Sequence, residues 1–386
     1  MFNIRLITKL DKSMLFIVLC LVSIGTIAIY RATEGTHLEG LHISNIVLFT
    51  AFCIPMLILA IMDYRILLGK LSYVLYGIGI AMLILVKFTG ENINGASRWL
   101  NIGHFQLQPS ELAKIFTVLL IAHLLGKRKG QQLRVFQDLL PIGLVFLVPF
   151  ILIMLQPDLG TSLVFVGILL SMLWVGNIRS LYMILFIGLG ILIICTVFWL
   201  YNVNYELLSK IVEPHQMARI QTFLDPASDP NKSWHVKNAM KAIGTGGLSG
   251  SDGVYVRRGF IPYVYSDSIF VVIGEEFGFL GSSVLLLLYL LLVYRMVNIS
   301  MESKELAGSY LVIGFIGMLV FQVSVNIGMH IGIFPLTGIS LPFISYGGSS
   351  LLTNMLAIGL ILSVNAHKDD IALADLSDTP CVLKTG

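Results

Sequence analysis

Ten apolar stretches long enough to cross a bilayer recur along the chain, and nothing else limits its fold as strongly. They are read at about 14–31, 43–62, 71–88, 109–126, 138–156, 160–176, 180–201, 267–294, 306–330 and 347–365. A hydrocarbon core about 30 Å thick takes about 20 apolar residues of helix. Backbone polar groups inside it must find partners within the protein, which favours helices. The composition agrees: 56% of residues are hydrophobic and only 12% charged, against about 25% charged in soluble domains. Mean hydropathy is +0.87. The expected fold is an all-α polytopic membrane protein of about ten transmembrane helices.

The basic opening "MFNIRLITKLDKSM" leads into an apolar run from Met14 to Ile29 without a convincing small-residue cleavage site, so that run counts as a first span. Ten spans put both termini on one side. Lys and Arg then set the orientation. With the termini inside, the short inner segments hold Lys9, Lys12, Arg65, Lys70, Lys127, Arg128, Lys129, Arg134, Arg179 and Arg295 among others, and the short outer ones Arg31 and Arg98. Both termini are therefore expected in the cytoplasm, and the protein in the cytoplasmic (inner) membrane. The long segment 202–266 faces outward; its seven Lys/Arg against five Asp/Glu do not count, because long loops are largely exempt from the rule.

One membrane domain, 1–386, is expected, with an extracytoplasmic loop at about 202–266 and a polar cytoplasmic tail at about 366–386. The loop carries two helix-like stretches, 205–223 and 233–243, and is expected to fold against the membrane. Net charge is +3, which says little about partners; no nucleic acid is expected. Cys20, Cys53, Cys195 and Cys381 form neither a metal spacing nor a disulfide framework.

Four stretches carry chemistry. In "NGASRWLNIGHFQLQPSELAKI" (94–115), Arg98 and Trp99 suit an interface, and Pro109-Ser110-Glu111 reads as a helix start. Lys114 falls on the face of Glu111, either as an internal ion pair or as a cation lining an outward cavity; the second is the working expectation. In "LQPDLGTS" (155–162), Pro157 and Gly160 break the backbone and Asp158 caps the next helix, a structural acid. In "FIPYVYSDSIFVVIGEEFGFLG" (260–281), Asp267 sits at the outer mouth of a helix, while Glu275 lies eight residues on, roughly 12 Å deeper. Asp267 is the reactive candidate; Glu275 and Glu276 are expected to be framework acids. In "NIGMHIGIFPLTGISLPFISYGGSS" (326–350), prolines and glycines interrupt the apolar pattern, which survives at membrane depth only under protein or beside a cavity. Ser345, Tyr346, Ser349 and Ser350 there satisfy carbonyls or bind sugar and phosphate oxygens. No P-loop and no HExxH occurs, and "GTGGLSG" (244–250) misses the dinucleotide spacing.

Taken in order, "RWLNIGHFQLQPSELAKI", "QPDLGTS", "FLDPASDP", "AIGTGGLSG", "SDSIFVVIGEEFGFLG" and "FPLTGISLPFISYGGSS" resemble the SEDS family (shape, elongation, division and sporulation) over nearly the whole chain. "WLNIG" and Gln156-Pro157-Asp158 resemble its elongation members more than its division members. The resemblance implies a peptidoglycan glycosyltransferase that polymerises lipid II for cell elongation and shape, with a class B penicillin-binding protein as transpeptidase and the elongation machinery around it. It implies Asp267 as the catalytic residue, Lys114 as the cavity lysine and Arg219 as the loop arginine ahead of "FLDP". Tyr263 and Tyr265 stand where the family commonly has Glu and His, and Asp252 where a Gly is common.

Lipid-linked sugar donors are α-pyrophosphates and the polymer linkage is β-1,4, so the reaction is an inverting single displacement. It needs a base, Asp267, and cations for the leaving pyrophosphate. Arg219, Arg257 and Arg258 are candidates for the second part, although the last pair also reads as a solvated loop pair. No cofactor is certain; a divalent cation, Mg or Mn, is neither demanded nor excluded, and no metal-binding residues are assigned. Two rivals share the features: a lipid II flippase or other transporter, and a scaffold for the penicillin-binding protein. A division-type member of the same family is the nearer alternative.

Overall fold

The computed structural model describes residues 9–368 apart from 94, 95, 104 and 226–229. Helices α1 (Lys12–Thr33), α2 (Leu41–Ile61), a short α3 (Tyr64–Leu68) and α4 (Lys70–Thr89) lead to a small antiparallel sheet of β1 (Glu91–Ile93), β2 (Ala96–Ile102) and β3 (Phe105–Leu107). Then follow α5 (Pro109–Gly126), a π-turn over Val135–Leu139 that runs into α6 (Leu140–Met154), α7 (Leu159–Val175) and α8 (Ser180–Val203). The long loop folds as α9 (Tyr205–Ile211), α10 (Pro214–Leu224), α11 (Pro230–Thr245) and α12 (Val254–Arg257). The chain ends in α13 (Ile269–Glu276), α14 (Gly278–Glu302), α15 (Leu306–His330) and α16 (Gly348–Ala366). Among the described residues nine helices are long and apolar enough to cross a membrane, and α7, at 17 residues, is a shorter apolar tenth.

The helix starts follow local chemistry. Asp11 accepts the Met14 N–H at 2.9 Å ahead of α1, and Asp158 accepts the Thr161 N–H at 3.1 Å ahead of α7. Pro109 opens α5, with Glu111 in its first turn. The centre of the bundle is α5, α15 and α16, buried along most of their length, with α2 against α16 and α7 against α15. Helix α8 is the opposite case: of its 24 residues only Met183 is buried.

The structure departs from the sequence expectation in three places. The span read at 267–294 is two helices, broken between Glu276 and Gly278, with Gly278 at φ +62°. The stretch 205–223 is also two helices, parted at Val212 and Glu213 ahead of Pro214. Strands β1–β3 were not expected at all.

The break at Gly278 is closed by the "GTGGLSG" segment. Ser251 N–H donates to Glu275 O at 2.8 Å, Phe279 N–H to Gly247 O at 2.9 Å and Leu280 N–H to Leu248 O at 3.1 Å. These bonds supply the partners that a continuous helix would have supplied. Glu275 is fully buried, and its carboxylate accepts the N–H groups of Tyr255 (2.7 Å) and Val256 (3.0 Å) at the start of α12. Glu276 pairs with Arg31 at the end of α1, at 3.5 Å. Thus Glu275 fastens the outer loop and Glu276 a neighbouring span. Glu275→Gln puts an amide donor against a backbone donor and is expected to cost about 2 kcal/mol, read as a lower melting temperature in detergent.

Candidate active site

Asp267 lies in the turn before α13, one residue ahead of the Ser268 N-cap and outside the membrane-spanning helices. Its backbone is held by α15: Asn326 Nδ2 donates to the Asp267 carbonyl at 2.7 Å, and His330 Nε2 lies 3.0 Å from the same oxygen. Since the partner is a carbonyl, His330 must carry its proton on Nε2. Residues 326 and 330 are four apart and share a helix face. Asn326 also donates to Ile339 O at 2.7 Å, so one side chain ties Asp267 to the irregular segment after α15. Arg219 on α10 donates to Thr337 O in that segment at 2.9 Å. The charges of Asp267, Asp158 and Arg98 all act on Arg219. Burial pushes the Asp267 carboxyl up to about 6, against the opposing pull of its own and the Ser268 N–H groups and of Arg219.

Three cavities meet here. One of about 710 Å³ is largely apolar and holds Arg219, Asp267 and His330 beside Met240, Phe334 and Leu336. A second, also about 710 Å³, is lined by Trp99, Tyr263, Tyr265, Ser266 and Tyr346. A third, about 140 Å³, is polar and includes Arg98, Glu111, Asp158, Gln322 and Ser350. Tyr263 lines the first two, Gly338 the first and third, and Trp99, Ser266 and Tyr346 the second and third. Asp267 lines the first of these cavities, and its neighbour Ser266 lines the second and third.

Other sequence candidates fall differently. Lys114 does not face outward: it is 1% exposed, lines none of these cavities, and its Nζ is 2.8 Å from Glu111 Oε1. An ammonium inside a span keeps its charge by pairing; Glu111, not Lys114, reaches the polar cavity. Arg98 borders that cavity, but its guanidinium donates to the carbonyls of Gln156 (2.9 Å) and Pro157. It thereby anchors the 155–158 turn. Asp158 caps α7 and also accepts Gln108 Nε2 at 3.0 Å. Ser345 serves the backbone, its hydroxyl accepting the Leu341 N–H at 2.7 Å. Arg257 and Arg258 are exposed and line none of these cavities; Arg257 instead acts on the charge of Glu276. Asn326 and His330 were missed. The legible signal was two polar residues four apart within one apolar span.

Residues 11–370 match the FtsW/RodA/SpoVE family, described as a cell cycle protein family. The chain belongs to that family. The peptidoglycan glycosyltransferase RodA of Treponema pallidum is 31% identical, across 95% of this chain and 100% of its own. The probable peptidoglycan glycosyltransferase FtsW of Thiomicrospira cyclica is 32% identical, across 93% and 92%. Among solved structures, one described under the structural coordination of polymerization and crosslinking by a peptidoglycan synthase complex superposes with a TM-score of 0.77. It is 31% identical and covers 93% of this chain and 98% of that one.

Among the described residues no group of three or more His, Cys, Asp or Glu is arranged to hold a metal. The charge that acts on Asp267 is the Arg219 guanidinium, and no step is assigned to a divalent cation.

Proposed function

We propose that this protein is a peptidoglycan glycosyltransferase that polymerises lipid II, with Asp267 as general base. The observation that carries the reading is that Asp267 and Arg219, whose charges act on each other, line the same largely apolar cavity. The apolar lining suits a polyprenyl chain, and Arg219 suits the pyrophosphate at its head. In the reaction a sugar hydroxyl oxygen forms a bond to the anomeric carbon on the face opposite the pyrophosphate. The anomeric carbon–oxygen bond to pyrophosphate breaks, the hydroxyl proton passes to Asp267, and the α donor becomes a β-1,4 linkage. Trp99, Glu111 and Tyr346 border the neighbouring spaces through which sugar parts of the substrates reach Asp267.

A class B penicillin-binding protein is the proposed transpeptidase partner, supported by the synthase complex among the structural relatives. The protein acts in the cytoplasmic (inner) membrane with both termini inside and the loop helices α9–α12 outside, as the Lys/Arg distribution supports. Elongation is the proposed role, on the strength of "WLNIG" and Gln156-Pro157-Asp158; localisation along the cell flank rather than at the septum tests it.

Purified protein with lipid II, its partner and moenomycin tests the activity. Glycan polymer made by wild type and by Lys129→Ala but lost in Asp267→Ala supports catalysis; lipid translocation without polymer supports a flippase instead. A pH profile adds an independent check. A base with its carboxyl near 6 is ionised above that pH and protonated below it. The rate kcat/KM is therefore expected to be flat near pH 7.5 and to fall about tenfold per unit well below pH 6.

A further inference from the structure

The cavity on the hairpin side of Asp267 has a lining that pyrophosphate chemistry does not use. Four aromatic side chains face it: Trp99, Tyr263, Tyr265 and Tyr346. Tyr265 and Tyr346 pack edge to face at 6.2 Å, and the Tyr346 N–H donates to Tyr265 O at 3.0 Å. Tyr263 is held at φ +50° with its side chain 54% exposed. A bulky residue in the left-handed region is strained, and strain of this kind concentrates at functional sites. The hairpin adds two amides. Trp99 and Asn101 alternate onto one face of β2, and Asn101 lies directly opposite Gln106 on β3. Both amide side chains line the cavity. No Lys, Arg, Asp or Glu is among the described residues around it.

This combination selects a ligand class. The absence of charge disfavours pyrophosphate and charged peptide stems. The C–H face of a pyranose is apolar and slightly positive, matching the negative face of an aromatic ring. Hydroxyl and acetamido groups at its rim match paired amides and tyrosine hydroxyls. The volume, about 710 Å³, lies within the range of sites for small molecules, about 300–1,000 Å³. We propose that this cavity is a glycan subsite, in which Trp99, Tyr263, Tyr265 and Tyr346 stack neutral β-1,4-linked N-acetylated sugars of the growing strand. The subsite rests on the glycosyltransferase reading for its biological ligand. Ser266 lines the same cavity, one residue from Asp267, so a strand bound there runs up to the base.

The test is titration of the purified full-length protein with β-1,4-linked N-acetylglucosamine tetramer, followed by saturation-transfer NMR. Wild type is expected to bind saturably. Tyr263→Leu with Tyr265→Leu is expected to weaken binding about tenfold, and Tyr263→Phe with Tyr265→Phe, which keeps the rings and loses only the hydroxyls, to weaken it clearly less. Asp267→Asn is expected to bind as wild type does, and in wild type farnesyl pyrophosphate is expected to leave the tetramer signal in place. No saturable binding by wild type, or equal binding by the leucine variant when its melting temperature matches wild type, overturns the subsite. Because binding is read without catalysis, a protein that binds the tetramer yet makes no polymer defeats the proposed activity and not the subsite.

Discussion

Gly246→Ala is expected to remove most of the folded protein, while Gly244→Ala leaves it intact. A Cβ on Gly246 would lie 1.9 Å from the Gly274 carbonyl oxygen and 2.9 Å from that of Glu275. Neither is the end of a flexible side chain; both belong to α13. Relief requires the 246–251 segment to lift off the break ahead of α14. That lift strains the three backbone bonds at 2.8–3.1 Å made by Ser251, Phe279 and Leu280. Overpacking against rigid atoms costs about 3 kcal/mol, and each lost bond about 1 kcal/mol more. Such a sum is a large share of the total stability of about 5–15 kcal/mol of an ordinary domain. Gly244, near the end of α11, has open space where its Cβ would go. Alanine there only gains helix propensity. Fluorescence-detected size exclusion in detergent reads both: a lost monodisperse peak for Gly246→Ala and an unchanged one for Gly244→Ala. An intact, equally stable Gly246→Ala protein would show that the loop does not wedge into the break.

Asp267→Asn is expected to lower polymerisation about 1,000-fold, within the usual range for removal of a general base. The substitution is clean because Asn326 and His330 grip the Asp267 backbone carbonyl and not its carboxylate. The turn before α13 therefore keeps its anchors. Stability is expected to stay level or rise. The folded-state carboxyl, near 6, stands above the unfolded value of about 3.9. Between those values the folded protein holds a proton that the unfolded chain releases, so raising the pH through that window costs stability. A neutral asparagine escapes this cost. Lost activity with an unchanged or higher melting temperature is thus the expected pair of observations.

The spans were legible because bilayer thickness sets both their length and their polarity. Helix α5, read at 109–126, occupies Pro109–Gly126, since proline and acid mark its start independently of tertiary context. The break at Gly278 was not legible within 267–294. Nothing local forces it; it depends on "GTGGLSG" arriving from about thirty residues upstream to satisfy the freed backbone. That segment looked like a failed nucleotide motif, yet its glycines are spaced for contact with another backbone. The small sheet hid for a related reason, because β1 and β3 are only three residues each and too short to show an alternation. Asp267 stood out by being an acid at a helix mouth. Its support from Asn326 and His330 could not be read without knowing that α15 passes behind it. Lys114 shows the converse limit: sequence places it beside Glu111, but only packing shows the ammonium turned inward.

The account turns on proton transfer at Asp267, and the measurement that reaches it most directly is single-turnover glycan formation from lipid II by purified Asp267→Asn at about pH 7.5. Wild type should elongate strands while the asparagine protein, folded and able to bind substrate, forms almost no new glycosidic bonds. Strands made by that variant at the wild-type rate would contradict the account.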